Sequence, residues 1–145
     1  MIRMDYYVRR DRALEQEEFQ AIWLQEHGKL WVKYADALGL RRYTQVHDWP
    51  EHPLCENWRK SYGASGLAYD GVATVCWPSY KVLEDALATA EGAQAMAEIL
   101  AHEKTIIDTP NSILSFGIVH PVINPRHKIV ASEESNVFRC CLLYT

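Results

Sequence analysis

A histidine inside an apolar helix and a tyrosine just beyond it are the residues of this chain best suited to move a proton. His27 lies within an apolar helical pattern, and Tyr43 follows in the next segment. An imidazole titrates near neutral pH and serves as a general acid or base, whereas a phenol donates a hydrogen bond to a developing enolate or carbonyl oxygen. The pair therefore predicts a pocket for proton transfer. The alternative is structural: His27 satisfies a hydrogen bond at the core edge, and Tyr43 is an amphipathic core aromatic.

Helical angles place His27 at the edge of the buried stripe. The pattern predicts a helix from about residue 14 to residue 38, with Gly39 as its natural stop. At about 100° per residue, one face is shared by Phe19, Trp23, Glu26, Leu30, Tyr34 and Ala37. His27 flanks that face, so we expect it to be half covered and able to reach a cavity. Glu26 falls in the middle of the stripe, where a carboxylate is costly unless it is paired or protonated.

Six further segments complete the pattern of elements. Strands are predicted at 4–9, 40–47, 69–77 and 113–123, and helices follow the third strand at 79–90 and 92–104. The resulting order, β-α-β-β-α-β, predicts an α+β, ferredoxin-like fold with an antiparallel sheet. Helices cover one face of such a sheet. The bare faces of two copies can close as a dimeric α/β barrel, which predicts a symmetric homodimer. Residues 48–68 are expected to be irregular; a loop of this length is usually functional, a lid or disordered, and its aromatic residues argue against disorder.

Composition limits the class of protein. The chain has 145 residues, which predicts a single domain over 1–145, with a core at about 4–123 and a C-terminal extension or arm at 124–145. The net charge is −4 without a basic stripe, so nucleic acid is not an expected partner. No secretory signal and no membrane-spanning apolar run is evident, and the four cysteines lack framework spacing. These features predict a cytoplasmic protein with reduced thiols and no membrane partner.

An ordered series of motifs resembles the EthD domain of the dimeric α/β-barrel superfamily. The matching pieces are Glu18-Phe19 to Trp23, His27-Gly28-x-Leu30, Leu40-x-x-Tyr43, Tyr69-Asp70-Gly71-Val72-Ala73 with Trp77, His102-Glu103-x-x-Ile106-Ile107-Asp108, and His120-x-Val122-Ile123. The resemblance implies a homodimer without a cofactor, with a cavity between sheet and helices. Lys29 replaces the proline that is usual in the family's His-Gly-Pro-Leu. A related enzyme, methylmuconolactone methylisomerase, implies functional roles for His27, Tyr43 and Cys76.

Several other residues are candidates for the site. Cys76 is a possible catalytic thiol, although a buried cysteine is more often an inert core residue. His120 would be a second proton carrier if its side of the fourth strand lines the cavity, and an ordinary surface or interface histidine otherwise. Aromatic side chains that could form walls for a flat substrate are Tyr7, Trp23, Trp77 and Phe116.

Metal and nucleotide motifs are not found in the sequence. His47, His52 and Cys55 lie close together, but their spacing matches no standard zinc site. Neither a P-loop nor a G-x-G-x-x-G motif is present. No metal and no cofactor is therefore expected.

The leading hypothesis is a cofactor-independent enzyme that uses general acid/base catalysis on a small oxygenated aromatic, polyketide-like or lactone substrate. His27 would be the base and Tyr43 the oxyanion donor, in an isomerisation, elimination, decarboxylation or cyclisation. One alternative is a cofactor-free monooxygenase of anthrone-like substrates. The other is a protein that binds a metabolite, or assists a partner, without catalysis.

Overall fold

A four-stranded antiparallel sheet organises the computed structural model, which describes residues 1–49, 52–64 and 69–121. Its strands are β1 (Ile2–Val8), β2 (Arg42–His47), β3 (Gly71–Trp77) and β4 (Ile113–Ile118). They lie in the order β2-β3-β1-β4, and each neighbouring pair is antiparallel. With the helices between them, this arrangement confirms the predicted ferredoxin-like fold.

The helices differ in detail from the prediction. Their bounds are α1 (Gln16–Ile22), α2 (Gly28–Lys33), α3 (Pro53–Tyr62), α4 (Tyr80–Leu87) and α5 (Ala90–Ile106). A π-helical segment, Trp23–His27, joins α1 to α2, and turns replace the predicted helix from Tyr34 to Gly39. Gly39, the predicted helix stop, instead closes these turns, with a φ of 61° that favours glycine.

The prediction of an irregular loop at 48–68 is wrong over α3. The His52 side chain accepts a hydrogen bond from the Leu54 backbone N–H, and Pro53 occupies the first turn, where its missing N–H costs nothing. Gly63 ends the helix at a φ of 63°. Pro53 and Gly63, which suggested an irregular segment, thus mark the two ends of a helix.

β4 is shorter than the predicted strand at 113–123. Among the described residues it ends at Ile118, and His120 lies beyond it in extended, non-strand backbone. Pro121 follows at once, and a proline cannot donate to a sheet ladder. The predicted C-terminal arm lies outside the described residues.

The helix-covered face of the sheet carries the core in two clusters. The first holds Met4, Trp31, Tyr34, Leu38, Val75, Trp77, Leu83, Ala95 and Ile99. The second holds Tyr6, Val8, Phe19, Trp23, Ala73, Ile106 and Ile107. Tyr43 packs against both clusters, so it marks the boundary between them. The candidate site described below lies at this boundary.

The opposite face of the sheet mixes polar and apolar side chains. Asp5 accepts hydrogen bonds from Arg3 and from the Thr74 hydroxyl, each at 2.8 Å. Val46 and Ile113 are more than half exposed on the same face. Of the residues that the structure describes, none belongs to a helix long and apolar enough to cross a membrane.

Candidate active site

The π segment determines where His27 lies. The buried residues along this part of the chain are Phe19, Trp23, His27 and Trp31, a spacing of four. Four steps of about 100° overshoot a full turn by about 40°, and such a drift would carry the series off one face of an α-helix. The wider π turn, in which the Gly28 N–H bonds to the Trp23 carbonyl five residues back, absorbs the drift.

Two expectations are corrected by this geometry. His27 was expected at the rim of the stripe, but it is only 1% exposed. Glu26 was expected in the middle of the stripe, but its side chain is 67% exposed. Angles measured on a regular α-helix could not place either residue correctly, because the helix is not regular there.

Two side chains approach the same nitrogen of His27. The Trp31 indole N–H donates to His27 Nε2 at 2.9 Å, and Glu103 Oε1 lies 3.4 Å from that atom. An indole N–H can only donate, so Nε2 must accept, and the neutral ring carries its proton on Nδ1. Within the described ranges Nδ1 is buried and has no hydrogen-bond partner. His27 thus presents an unused N–H donor, which is rare in a protein interior.

Glu103, like Trp31, is a site residue to which the sequence analysis gave no role, although Glu103 stands in one of the matching motifs. It lies on the buried face of α5 with Ala95, Ile99 and Ile106, and it is 7% exposed. The spacing 95, 99, 103, 106 is that of an apolar helix face, and a carboxylate on such a face is costly unless it has a partner. That polar interruption was the available signal. Its partner, His27, comes from a different helix.

Tyr43 points to the helix-covered side of β2 together with Gln45 and His47. Its ring stacks on Trp31 with centroids 5.0 Å apart, and its hydroxyl accepts a hydrogen bond from Gln45 Nε2 at 2.8 Å. Because the hydroxyl accepts this bond, its own proton remains available for donation. Trp31 therefore contacts both candidate catalytic groups, His27 through its N–H and Tyr43 through its ring face.

Burial and the charge of Glu103 alter the acidity of the groups around the site. Burial chiefly raises the pKa of Tyr43, with a further rise from the Glu103 carboxylate, although the bond from Gln45 opposes the change. Burial and Glu103 likewise raise the pKa of Tyr6, against an opposing hydrogen bond with Ser112. Burial lowers the pKa of His47. Both phenols therefore stay protonated to a higher pH than usual, and the neutral form of His47 is favoured.

His102 lies beside His27 on the solvent side. The two imidazole rings stack with centroids 5.3 Å apart, and His102 Nε2 is 3.7 Å from Glu26 Oε2. The His102 side chain is 23% exposed. The polar centre, defined here as His27, Tyr43, Glu103 and Trp31, thus has a titratable group between it and water.

The remaining predicted site residues are not all brought to this centre. Cys76 and Tyr7 lie on the opposite face of the sheet, because they alternate with Val75 and Tyr6, which face the helices. Trp23 and Trp77 are buried core residues on the helix side. Phe116 stacks on Trp77 with centroids 6.2 Å apart, and His120 is exposed beyond β4.

The side chains first considered as metal ligands have other partners. His47 bonds to Gln45, His52 caps α3, and the Cys55 thiol donates to the Trp49 carbonyl at 3.3 Å. Across the described residues, no group of three or more His, Cys, Asp or Glu side chains is arranged to hold a metal ion.

Comparisons with known proteins agree with the fold. The EthD domain profile matches residues 11–110. An EthD family protein from Bacillus halodurans is 13% identical, with a TM-score of 0.52 over 82% of this chain and 98% of its own. HapK from Hahella chejuensis is 8% identical, with a TM-score of 0.51 over 81% of this chain and 93% of its own.

A third similar structure is a dimeric ferredoxin-like protein of unknown function from Thermobifida fusca. It is 12% identical, with a TM-score of 0.50 over 81% of this chain and 90% of its own. No curated protein matches the sequence. At these identities the similarity to solved structures shows the fold alone.

Proposed function

The chain belongs to the EthD domain family, and within that family we propose that it is a proton-transfer enzyme acting on a small oxygenated molecule. The reaction would be general acid/base catalysis beside a carbonyl group, in an aromatic, polyketide-like or lactone substrate, without a cofactor. The observation that carries the proposal is the buried Nδ1–H of His27, which has no acceptor among the described residues. A buried N–H without an acceptor destabilises a protein, and a bound ligand that accepts its hydrogen bond would remove that cost.

The contacts of the polar centre support a division of roles. The lone pair of His27 Nε2 is occupied by the Trp31 N–H, so the ring is better arranged to donate from Nδ1 than to abstract a proton. A neutral imidazole can polarise a carbonyl in this way. We therefore propose Glu103, rather than His27, as the base. His27 and Tyr43 would be the hydrogen-bond donors that stabilise the enolate oxygen.

Hydrogen–deuterium exchange at carbon tests this proposal before the natural substrate is known. The protein would be incubated in D₂O with butenolides and aryl methyl ketones, and loss of the proton signal next to the carbonyl would be followed by NMR. We expect catalysed exchange that falls about 10²–10⁴-fold in Glu103→Gln, as for loss of a general base. Tyr43→Phe should lower exchange by about 10²–10³-fold, as for loss of one oxyanion donor.

Glu91→Gln provides the matched control, because Glu91 is an exposed carboxylate in the first turn of the same helix. Full exchange by Glu103→Gln, with the fold verified by circular dichroism, would refute the assignment of the base. Oxygen consumption by an anthrone substrate without added metal or flavin would instead indicate the monooxygenase. A panel compound that binds and is recovered without exchange would indicate a binding protein.

We further propose that the protein is a homodimer in which the open faces of two sheets meet. The support is the partly apolar face of the sheet that the described helices leave uncovered, and the dimeric state of the similar protein from Thermobifida fusca. Val46→Glu places a charge on that face, where Val46 is 57% exposed, and should yield monomers in light scattering. Val32→Glu on α2 is the control, since Val32 is exposed on the helix side. A Val46→Glu protein that remains dimeric would refute this interface.

A further inference from the structure

Gln45 on β2 joins three polar groups through one side-chain amide. Its Nε2 lies 2.9 Å from the Trp23 carbonyl and 2.8 Å from the Tyr43 hydroxyl, and its Oε1 lies 3.1 Å from His47 Nε2. Because a carbonyl oxygen can only accept, the amide nitrogen must face Trp23. The orientation of the whole amide follows from this single contact.

The orientation of the amide fixes two proton positions. Its second N–H points to the Tyr43 hydroxyl, so that oxygen accepts and its own proton is left to donate. Its carbonyl oxygen faces His47, so His47 must carry a proton on Nε2 to complete the bond. Burial lowers the pKa of His47 and so favours the neutral ring, whose single proton the bond to Gln45 then places on Nε2.

The amide of Gln45 is anchored on the main chain of the π segment. The Trp23 carbonyl belongs to the π segment, where it accepts from the Gly28 N–H as well as from Gln45. The amide lies against this backbone, since a Cβ added at Gly28 would be 3.8 Å from Gln45 Nε2, an ordinary van der Waals contact. The π segment and β2 are therefore tied together through one polar side chain.

We infer that Gln45 is a positioning residue, which holds the Tyr43 hydroxyl as a hydrogen-bond acceptor so that its proton is directed to the substrate oxygen. This inference rests on the proposed function for its consequence in turnover, but the direction of the hydrogen bond can be measured without any substrate. The test therefore measures both the direction of the Tyr43 hydrogen bond and the rate of turnover.

Gln45→Glu is the sharpest variant, because it keeps the shape and replaces two N–H donors with a carboxylate. A carboxylate can only accept, so the Tyr43 proton would be drawn to it and away from the substrate. The Raman doublet of tyrosine distinguishes a phenol that accepts from one that donates. The Tyr43 contribution is isolated by subtracting the spectrum of Tyr43→Phe.

We expect the Tyr43 doublet to change from the acceptor to the donor pattern in Gln45→Glu and to stay unchanged in the control Gln25→Glu. Gln25 is an exposed glutamine of the π segment. Gln45→Met, which lacks hydrogen-bonding groups, guards against misfolding of the charged variant. It should remove the acceptor pattern without producing the donor pattern.

In the exchange assay, Gln45→Glu should lower kcat about 10²-fold at nearly constant KM, as for loss of an oxyanion donor. A doublet that is the same in wild type and Gln45→Glu would overturn the inference, whatever the activity. If the doublet changes but Tyr43→Phe exchanges at the wild-type rate, the proposed role of Tyr43 fails while Gln45 still orients its hydroxyl.

Discussion

Replacement of Trp31 by phenylalanine tests the arrangement of the polar centre directly. The substitution keeps an aromatic ring against Tyr43 and removes the N–H that occupies His27 Nε2. With that donor gone, Nε2 can carry a proton and donate to Glu103 Oε1, which lies 3.4 Å away. We therefore expect His27 to change from the Nδ1–H to the Nε2–H tautomer, which removes its free donor.

The cost in stability can be worked from the same contacts. Loss of one hydrogen bond is worth about 1 kcal/mol net, and leaving its buried partner unsatisfied raises this to roughly 1–3 kcal/mol. The smaller ring also gives up buried apolar area at about 0.8 kcal/mol for each methylene-sized group. Because Glu103 can satisfy Nε2, we expect a total of roughly 2–3 kcal/mol. This corresponds to about 2–4 °C in Tm for each kcal/mol in a domain of this size.

Trp77→Phe is a matched control. Trp77 is 2% exposed, like Trp31, and its N–H donates to the Leu38 carbonyl at 3.0 Å. That carbonyl gains no replacement donor, so we expect Trp77→Phe to lower the free energy of unfolding at least as much, without a change of tautomer at His27.

The assay is two-bond ¹H–¹⁵N NMR of the histidine side chains, with His27 assigned from its loss in His27→Asn. Urea denaturation gives the free energy of unfolding of each variant. Wild-type His27 already in the Nε2–H tautomer would refute the assignment of its proton. A tautomer unaffected by Trp31→Phe would refute the role of the indole.

Three further outcomes follow from the packing and the titratable groups. Gly71→Ala should lower the free energy of unfolding, measured by urea denaturation, by roughly 1–3 kcal/mol, because its Cβ would overlap the Trp23 ring. Gly117→Ala is the control and should lower it much less, since nothing lies within 4 Å of the added Cβ. Equal losses in the two variants would contradict this packing. Burial raises the pKa of Tyr43, so its contribution to stability is full below the unfolded value of about 10 and is lost as pH rises through the folded pKa. Ultraviolet titration should therefore show ionisation of Tyr43 only when the protein unfolds. Ionisation of Tyr43 near pH 10 in the folded protein would exclude this. The lowered pKa of His47 acts in the opposite direction: its contribution to stability is present above about pH 6.5 and is lost as pH falls through the folded pKa. His47→Gln should therefore flatten the acid side of the Tm–pH curve. An unchanged curve would contradict this prediction.

Much of the fold could be predicted from the sequence because its signals are local. Alternation along a strand assigns each side chain to one face of the sheet, and Tyr43 and Gln45, two residues apart, do share one face, which the structure shows to be the helix-covered one. The same alternation placed Cys76 on the face opposite Trp77. The resemblance alone made Cys76 a companion of His27, and the structure places the two on different sides of the sheet.

The polar centre itself depended on contacts between distant segments. In a regular α-helix His27 would lie at the rim of the buried face. The π segment is explained by packing, because it lets every fourth side chain from Phe19 to Trp31 be buried against the sheet and α5. A helical period of 3.6 residues is a property of the isolated chain, whereas a period near four is stabilised only by the surfaces that bury it.

By itself, the sequence determined the succession of the four strands, the helices of the ferredoxin-like pattern apart from α3, and the family. It also identified His27 and Tyr43 as residue types suited to proton transfer. The tertiary structure decided which protons those groups can offer. A tautomer and a hydroxyl direction depend on donors and acceptors about 3 Å away, and here these come from Trp31, Glu103 and Gln45. Glu103 reaches His27 only through chain folding. Gln45 neighbours Tyr43 on one strand, but its amide is oriented by the distant Trp23 carbonyl, which spacing along the sequence could not reveal.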